Sequence, residues 1–97
     1  MKHFVLFKLE ADYSADCMQE LFNCTYTKIP AEIDGVTHVE FHRNIICRDC
    51  NMDIMIIVSC SEEGFYQYLV HPLHKQFAEE TKDHIALRVS FDLAEEV

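Results

Sequence analysis

An unbroken apolar run near the middle of the chain constrains its fold more than any other feature. Between Asp53 and Cys60, apolar side chains occupy consecutive positions: Ile54, Met55, Ile56, Ile57 and Val58. Such a run, rich in β-branched residues, is typical of a strand that is buried on both faces. Residues 3–9 have the same character. The chain must therefore cover both faces of the sheet that contains these two strands.

The first half of the chain predicts a strand, a helix and a second strand. After residues 3–9, Ser14 is a suitable N-cap for a helix. Apolar or small residues then recur at helical spacing: Met18, Leu21, Phe22, Thr25 and Ile29. The helix is expected to end before Pro30, because proline disfavours α geometry at Ile29. Residues 36–43 alternate as the second strand, and residues 44–52 form a loop.

The second half predicts a third strand, two helical pieces and a last strand. Ser61 can cap the first helical piece, in which Phe65 and Leu69 mark a buried stripe. The second piece starts at Pro72 and ends near Thr81. The last strand has four apolar residues on one face: Ile85, Leu87, Val89 and Phe91. The order β-α-β-β-α-β predicts an α+β, ferredoxin-like fold in a single domain over residues 1–97.

Two helical regions can cover only one face of a four-stranded sheet. In a chain of 97 residues nothing else remains to cover the other face. Since monomers rarely expose large apolar patches, a second copy of the chain is the economical solution, and a homodimer is expected. The alternative is a monomer with an exposed apolar sheet.

Charge and cysteine content limit the partners and the compartment. The formal net charge is −9, with 17 acidic and 8 basic residues, and an acidic pair, Glu95 and Glu96, stands near the end. This balance argues against nucleic acid and anionic membranes as partners, because both select for Lys and Arg. No stretch is typical of a signal peptide or a membrane span. The five cysteines are expected to be reduced, several of them buried, in a cytoplasmic protein.

A proline between two histidines divides the second helical region. His71 and His74 flank Pro72 and Leu73 in an otherwise apolar stretch. Because proline is favoured in the first turn of a helix and disfavoured later, one helix should end near Val70 and another begin at Pro72. Such a break directs neighbouring side chains away from a regular helical face.

Several segments, in matching order, resemble the stress-responsive dimeric α/β-barrel (Dabb) domain family. The opening strand Lys2–Lys8, the hairpin residues Arg43-Asn44 and Arg48-Asp49 followed by Asp53, and the motif from Tyr68 to His74 carry the resemblance. It implies a dimeric α/β barrel in which two four-stranded sheets pack face to face. It implies no single function: some members are linked to stress responses, and a plant relative cyclises polyketides.

Four side chains could carry acid–base chemistry: His3, Tyr68, His71 and His74. Imidazole titrates near neutrality, and a phenol can orient a carbonyl or stabilise an enolate oxygen. Resemblance to the cyclase implies catalytic roles for His3, Tyr68 and His74, although a further histidine of that enzyme falls here near Ile54. His71 is a candidate binding residue. Alternatively, His71 caps the second helical piece, while Tyr68 and His74 bond to buried backbone.

Two further groups of side chains are weaker candidates. Cys47 and Cys50 form a CxxC in the loop, but there is no second CxxC to complete a zinc site, and redox pairs usually start a helix. His38 and His42 flank Glu40 on one strand face, about 13 Å apart, which is too far for one metal ion. No metal or cofactor is expected.

These observations leave three functions open. The first is a cytoplasmic homodimer that binds a small apolar or aromatic ligand between helices and sheet. The second is an aldol- or cyclase-type enzyme, with His74 as base and Tyr68 as acid or orienting group. The third is a structural stress-associated dimer without a ligand. A cavity reached by both Tyr68 and His74 would favour the first two.

Overall fold

Four antiparallel strands and a layer of helices make up the structure, a computed structural model that describes residues 1–95. Glu96 of the expected acidic pair lies outside this range. The elements in chain order are β1 (Lys2–Leu9), α1 (Ala15–Cys24), α2 (Ile29–Glu32), β2 (Val36–Arg43), β3 (Ile54–Cys60), α3 (Glu62–Val70), α4 (Pro72–Thr81) and β4 (Ile85–Leu93). Two short 3₁₀ turns, Tyr26–Lys28 and Lys82–His84, precede α2 and β4.

The strands form one sheet in the order β2-β3-β1-β4. Both central strands, β1 and β3, are the apolar strands of the sequence, and every pairing is antiparallel. The predicted α+β, ferredoxin-like fold is thereby confirmed. No helix within residues 1–95 is long and apolar enough to cross a membrane.

Alternate residues of the central strands form the core beneath the helices. In β1 these are His3, Val5 and Phe7, and the facing residues of β3 are equally buried. From the helical layer, the side chains that are almost inaccessible to solvent include Met18, Phe22, Tyr26, Ile29, Tyr68 and Phe77. The core therefore occupies the space between the helices and one face of the sheet.

The edge strand β4 has its polar face towards the helices and its apolar face outward. In the pairing with β1, Ser90 lies opposite Val5 and Asp92 opposite His3, and directly opposed residues share a face. The apolar residues of β4 therefore project from the other face, where they are 42–63% exposed: Leu87, Val89, Phe91 and Leu93. This is the reverse of the pattern expected for an edge strand of a monomer.

One apolar residue of β4 does not share this outward face. A register shift in the β1–β4 pairing lies between Lys8 and Leu9, after which Leu9 pairs with Ile85. Ile85 packs against the core as a result. The prediction that Ile85 shares a face with Leu87 is wrong, because an irregular pairing reverses the alternation of faces.

The first helical region is broken rather than continuous. Helix α1 ends at Cys24, and Pro30 lies in the first turn of α2 instead of terminating the preceding helix. Ile29 has φ −64° and ψ −43°, so it is helical despite the proline that follows. The first helix does end before Pro30, as predicted, but the expectation that Ile29 is not helical was wrong, because Pro30 lies in the first turn of a helix, where its missing N–H is tolerated.

Two predictions about burial also need correction. In α3 the buried residues are Gly64 and Tyr68, whereas Leu69 is 38% exposed. The stripe shifts because α3 packs through Gly64 on the backbone of Gly35. Of the five cysteines only Cys60 is buried, because the others lie on the exposed side of α1 or in the loop after β2.

Candidate functional site

The break between α3 and α4 is built around His71. Its backbone is extended, and its Nδ1 accepts a hydrogen bond from the Leu73 N–H at 3.1 Å, as an N-cap does. Its Nε2 lies 3.1 Å from a carboxylate oxygen of Glu32. The predicted cap is confirmed. With both ring nitrogens engaged inside the chain, His71 serves the fold.

The break brings the end of α3 against the start of α4. Tyr68 in the last turn of α3 and His74 in the first turn of α4 have ring centroids 4.4 Å apart. In a continuous helix these two side chains would point in different directions, because residues six apart do not share a helical face. Pro72 therefore creates the Tyr68–His74 contact.

A cavity of about 100 Å³ lies between these helices and strands β1 and β4. His3, Tyr68 and His74 all line it, as the sequence suggested, whereas His71 does not. The complete lining is His3, Val5, Phe7, Tyr26, Tyr68, His74, Phe77, Ala78, Thr81, Ile85, Arg88 and Ser90. The wall thus combines apolar side chains with several polar groups that converge on one space, as small-molecule sites do.

Two buried phenols form the polar centre of the cavity. The hydroxyl oxygens of Tyr26 and Tyr68 are 2.7 Å apart, and both side chains are about 1% exposed. Burial raises the pKa of Tyr68 to about 12, and burial likewise raises the pKa of Tyr26. Both groups therefore stay protonated at neutral pH. One O–H is used between them, so the pair keeps one O–H that can bond to a ligand.

His74 is held in one tautomer by the helix that precedes it. Its Nδ1 lies 3.1 Å from the Leu69 carbonyl oxygen, which can only accept a hydrogen bond. Nδ1 therefore carries the proton, and in the neutral ring Nε2 is left with a lone pair. Burial lowers the pKa of His74, the Leu69 bond opposes this shift, and Arg88 and His3 add to it. His74 is thus a neutral base at physiological pH.

We expect the stability of the protein to fall in acid through His74. Because its pKa is lower folded than unfolded, the unfolded chain binds more protons below the ordinary value of 6.5. The stabilisation is complete above pH 6.5 and is lost as the pH falls through the folded pKa. Chemical denaturation of wild type and His74→Gln from pH 7.5 downward measures this. A difference in unfolding free energy that does not change with pH would contradict it.

His3 is oriented by a carboxylate of β4. Its Nδ1 lies 2.5 Å from an Asp92 oxygen, and its ring packs 4.9 Å from that of Phe65, measured between centroids. An ionised carboxylate can only accept, so Nδ1 carries a proton here as well. The ring centroids of His3 and Tyr68 are 5.8 Å apart. The three predicted catalytic residues are therefore brought together around one cavity.

Sequence reasoning missed two polar residues of the site. Tyr26 falls in the 3₁₀ turn after α1, where the pattern predicted a continuous helix. Arg88 alternates with the outward apolar residues of β4, and a charged residue at such a position is by itself expected to be exposed. The alternation of β4 was the available signal, since it places Arg88 and Ser90 on one face, but only the pairing with β1 shows that this face meets the helices.

The other candidate groups lie outside this cavity. Cys47 and Cys50 are exposed in the loop after β2, where the Arg48 guanidinium lies 2.8 Å from the Cys50 sulfur. His38 and His42 lie 3.7 Å and 3.0 Å from different oxygens of Glu40 on the outward face. Within residues 1–95, no group of three or more His, Cys, Asp or Glu side chains is arranged to hold a metal ion.

Comparisons with known proteins agree on family and fold. The stress responsive A/B barrel domain (Dabb) family matches residues 1–95. A search of curated proteins finds no match. A solved dimeric ferredoxin-like protein of unknown function from Thermobifida fusca has 23% identity and a TM-score of 0.80, covering 97% of this chain and 89% of that chain.

Two further solved structures are similar. A Dabb family protein from Mesorhizobium loti has 22% identity and a TM-score of 0.70, with coverage of 99% of this chain and 96% of that chain. The hydroxynitrile lyase of Passiflora edulis has 12% identity and a TM-score of 0.72, with coverage of 99% and 94%. Identities this low establish a common fold and nothing finer.

Proposed function

Because the chain belongs to the stress responsive A/B barrel domain family, we propose that it is a cytoplasmic homodimer that binds a compact small molecule in the cavity between helices and sheet. The observation that carries this proposal is the free phenolic O–H of the buried Tyr26–Tyr68 pair in a cavity that apolar side chains also line. Buried hydrogen-bond donors without an acceptor are uncommon, and a ligand oxygen would accept a hydrogen bond from this O–H.

The cavity volume limits the size of the ligand. About 100 Å³ holds roughly three water molecules, and a cavity that binds benzene has about 150 Å³. Typical sites for drug-sized ligands have about 300–1,000 Å³. A long polyketide is therefore a poor candidate, and an aromatic ring would have to remain partly at the opening. A short ligand with one carbonyl and a small apolar tail fits best.

Binding can be tested with propionamide, a neutral amide of this size. We expect its addition to shift the NMR signals of residues around Tyr68. Millimolar concentrations of the ligand should be required, because a ligand with so few atoms binds weakly. Ala78→Leu should abolish these shifts by filling the cavity, whereas the exposed Ala31→Leu should not. Circular dichroism verifies that both variants are folded. Unchanged binding by Ala78→Leu, or no binding by wild type, would refute the proposal.

A second candidate function is proton transfer on such a ligand. Its support is the tautomer of His74, in which a half-buried neutral ring keeps a lone pair on Nε2. His74 could remove a proton next to the ligand carbonyl, and the Tyr68 O–H could stabilise the resulting enolate oxygen. The similar hydroxynitrile lyase is an enzyme, so an enzymatic function is compatible with this fold.

We expect this second function to appear as hydrogen exchange. In deuterated buffer, a weakly acidic ligand such as propanal should exchange the protons on the carbon next to its carbonyl faster with the protein than without it. His74→Ala should remove most of this acceleration, because general bases contribute about 10²- to 10⁴-fold to such reactions. Glu80→Ala, which removes an exposed base from α4 outside the cavity lining, is the control. Equal exchange with and without protein would refute the proton-transfer function and leave ligand binding as the proposed function.

The homodimer is proposed from the outward sheet face. Phe91 is 63% exposed and Leu87 54% exposed on this face, which nothing in residues 1–95 covers. Two such faces packed together would form the barrel that the family name describes. The similar protein from Thermobifida fusca is itself dimeric. If no ligand binds, the remaining possibility is a stress-associated dimer whose function is structural.

A further inference from the structure

We propose that the cavity recognises a small carboxylate, whose anionic group is bound by Arg88 and accepts a hydrogen bond from the free O–H of the Tyr26–Tyr68 pair, while its apolar tail lies against Phe7 and Phe77. This inference rests on the proposed ligand-binding function and specifies the chemical class of the ligand. Of the residues that line the cavity, Arg88 is the only Lys or Arg.

The position of Arg88 at the edge of the cavity suits this role. It lies on the face of β4 that points towards the helices, opposite the buried Phe7 in the pairing with β1. Yet Arg88 itself is exposed, so its guanidinium remains accessible from solvent. A ligand can therefore keep its charged group at the opening and place its tail in the apolar interior. A carboxylate buried without such a partner would be strongly disfavoured.

The charge of Arg88 is not neutralised within the described part of the chain. No ion pair involves it among residues 1–95. On the same strand face the nearest acid is Asp92, about 13 Å further along the strand, and Asp92 is bonded to His3. Guanidinium groups bind carboxylates through two parallel N–H donors, so a ligand carboxylate is the natural partner.

The field of Arg88 reaches the other polar groups of the cavity. Burial is the main cause that raises the pKa of Tyr68, and Arg88 opposes it. Burial also lowers the pKa of His74, and there Arg88 acts in the same direction. At both residues the positive charge favours the state that has lost a proton. Arg88 therefore makes the cavity locally suited to negative charge.

The overall charge of the protein makes this preference testable. A net charge of −9 repels anions, so stronger binding of an anion than of its neutral analogue must come from a local cation. Propionate and propionamide have nearly the same size and shape and differ in charge. Both can be titrated by NMR at a constant ionic strength of about 0.15 M, where the Debye length is about 8 Å.

We expect wild type to bind propionate more tightly than propionamide. Arg88→Gln should weaken propionate binding about tenfold or more, because charge-assisted bidentate bonds are the strong ones. Propionamide binding should change less than about twofold, since its contacts are with the phenols and the apolar wall. Arg88→Lys should retain part of the propionate affinity, because lysine keeps the charge and loses the bidentate geometry.

Lys75→Gln serves as the matched control. It removes one positive charge from the exposed side of α4, outside the cavity lining, so it should leave both affinities unchanged. Equal affinity of wild type for the two ligands, or equal weakening of both by Arg88→Gln, would overturn the role of Arg88 and leave the binding cavity standing. Failure of both ligands to bind would overturn the cavity as well.

Discussion

Phe91→Asp should weaken the proposed dimer, with the largest effect we expect for any substitution on the outward sheet face. In a symmetric dimer each copy contributes one Phe91, and burying one such side chain yields about 1.5–3 kcal/mol. Two copies then account for about 3–6 kcal/mol, so the dissociation constant should rise by about two to four orders of magnitude. Placing a carboxylate in an apolar interface adds to this loss. Analytical ultracentrifugation across a dilution series measures the change.

Tyr66→Asp provides the matched control. Tyr66 lies on α3 and is 59% exposed, close to the 63% of Phe91, but it belongs to the helical layer. Its substitution should not alter the dissociation constant. The melting temperature of wild type should also rise with protein concentration, as mass action requires when folding and association are coupled. An unchanged dissociation constant for Phe91→Asp would exclude this face as the interface.

Gly64→Ala should strongly destabilise the fold, although alanine favours helices. A Cβ added at Gly64 would lie 2.4 Å from the Gly35 carbonyl oxygen and 2.7 Å from the Gly35 Cα. These are backbone atoms, so relief requires moving α3 away from the start of β2. Overpacking of this kind costs about 1–3 kcal/mol, while the gain in helix propensity is about 1 kcal/mol.

We expect the overpacking cost to lie near the upper end of this range, because a hydrogen bond also links the start of α3 to the segment before β2. The Ser61 N–H donates to the Gly35 carbonyl at 2.8 Å, and moving the helix would lengthen this bond. A loss of about 2 kcal/mol lowers the melting temperature by about 10 °C in a domain of this size. Gln67→Ala, an exposed change on the same helix, should stay within about 0.5 kcal/mol of wild type. Thermal unfolding of both variants tests the contact, and equal stability would rule it out.

Local patterns in the sequence determined the elements of this protein. Ser14 and Ser61 cap α1 and α3 by accepting bonds from Cys17 and Gly64, as their positions predicted. The helix break at Pro72 also follows from the sequence, because proline acts on its own turn. These features depend on residues a few positions apart, so reading the chain in order is sufficient to find them. The β-α-β-β-α-β order and the resemblance to the family follow from the same local patterns.

Tertiary structure alone decided how the site is assembled. Tyr26 reaches Tyr68 across 42 positions of sequence, and His3 reaches Asp92 across 89. No local periodicity encodes such distances. Alternation in β4 predicted two faces but could not tell which one meets the helices, because that depends on the pairing of Ser90 with Val5. The register of that pairing, set by packing over the whole sheet, is what turns Arg88 towards the cavity and Phe91 away from it.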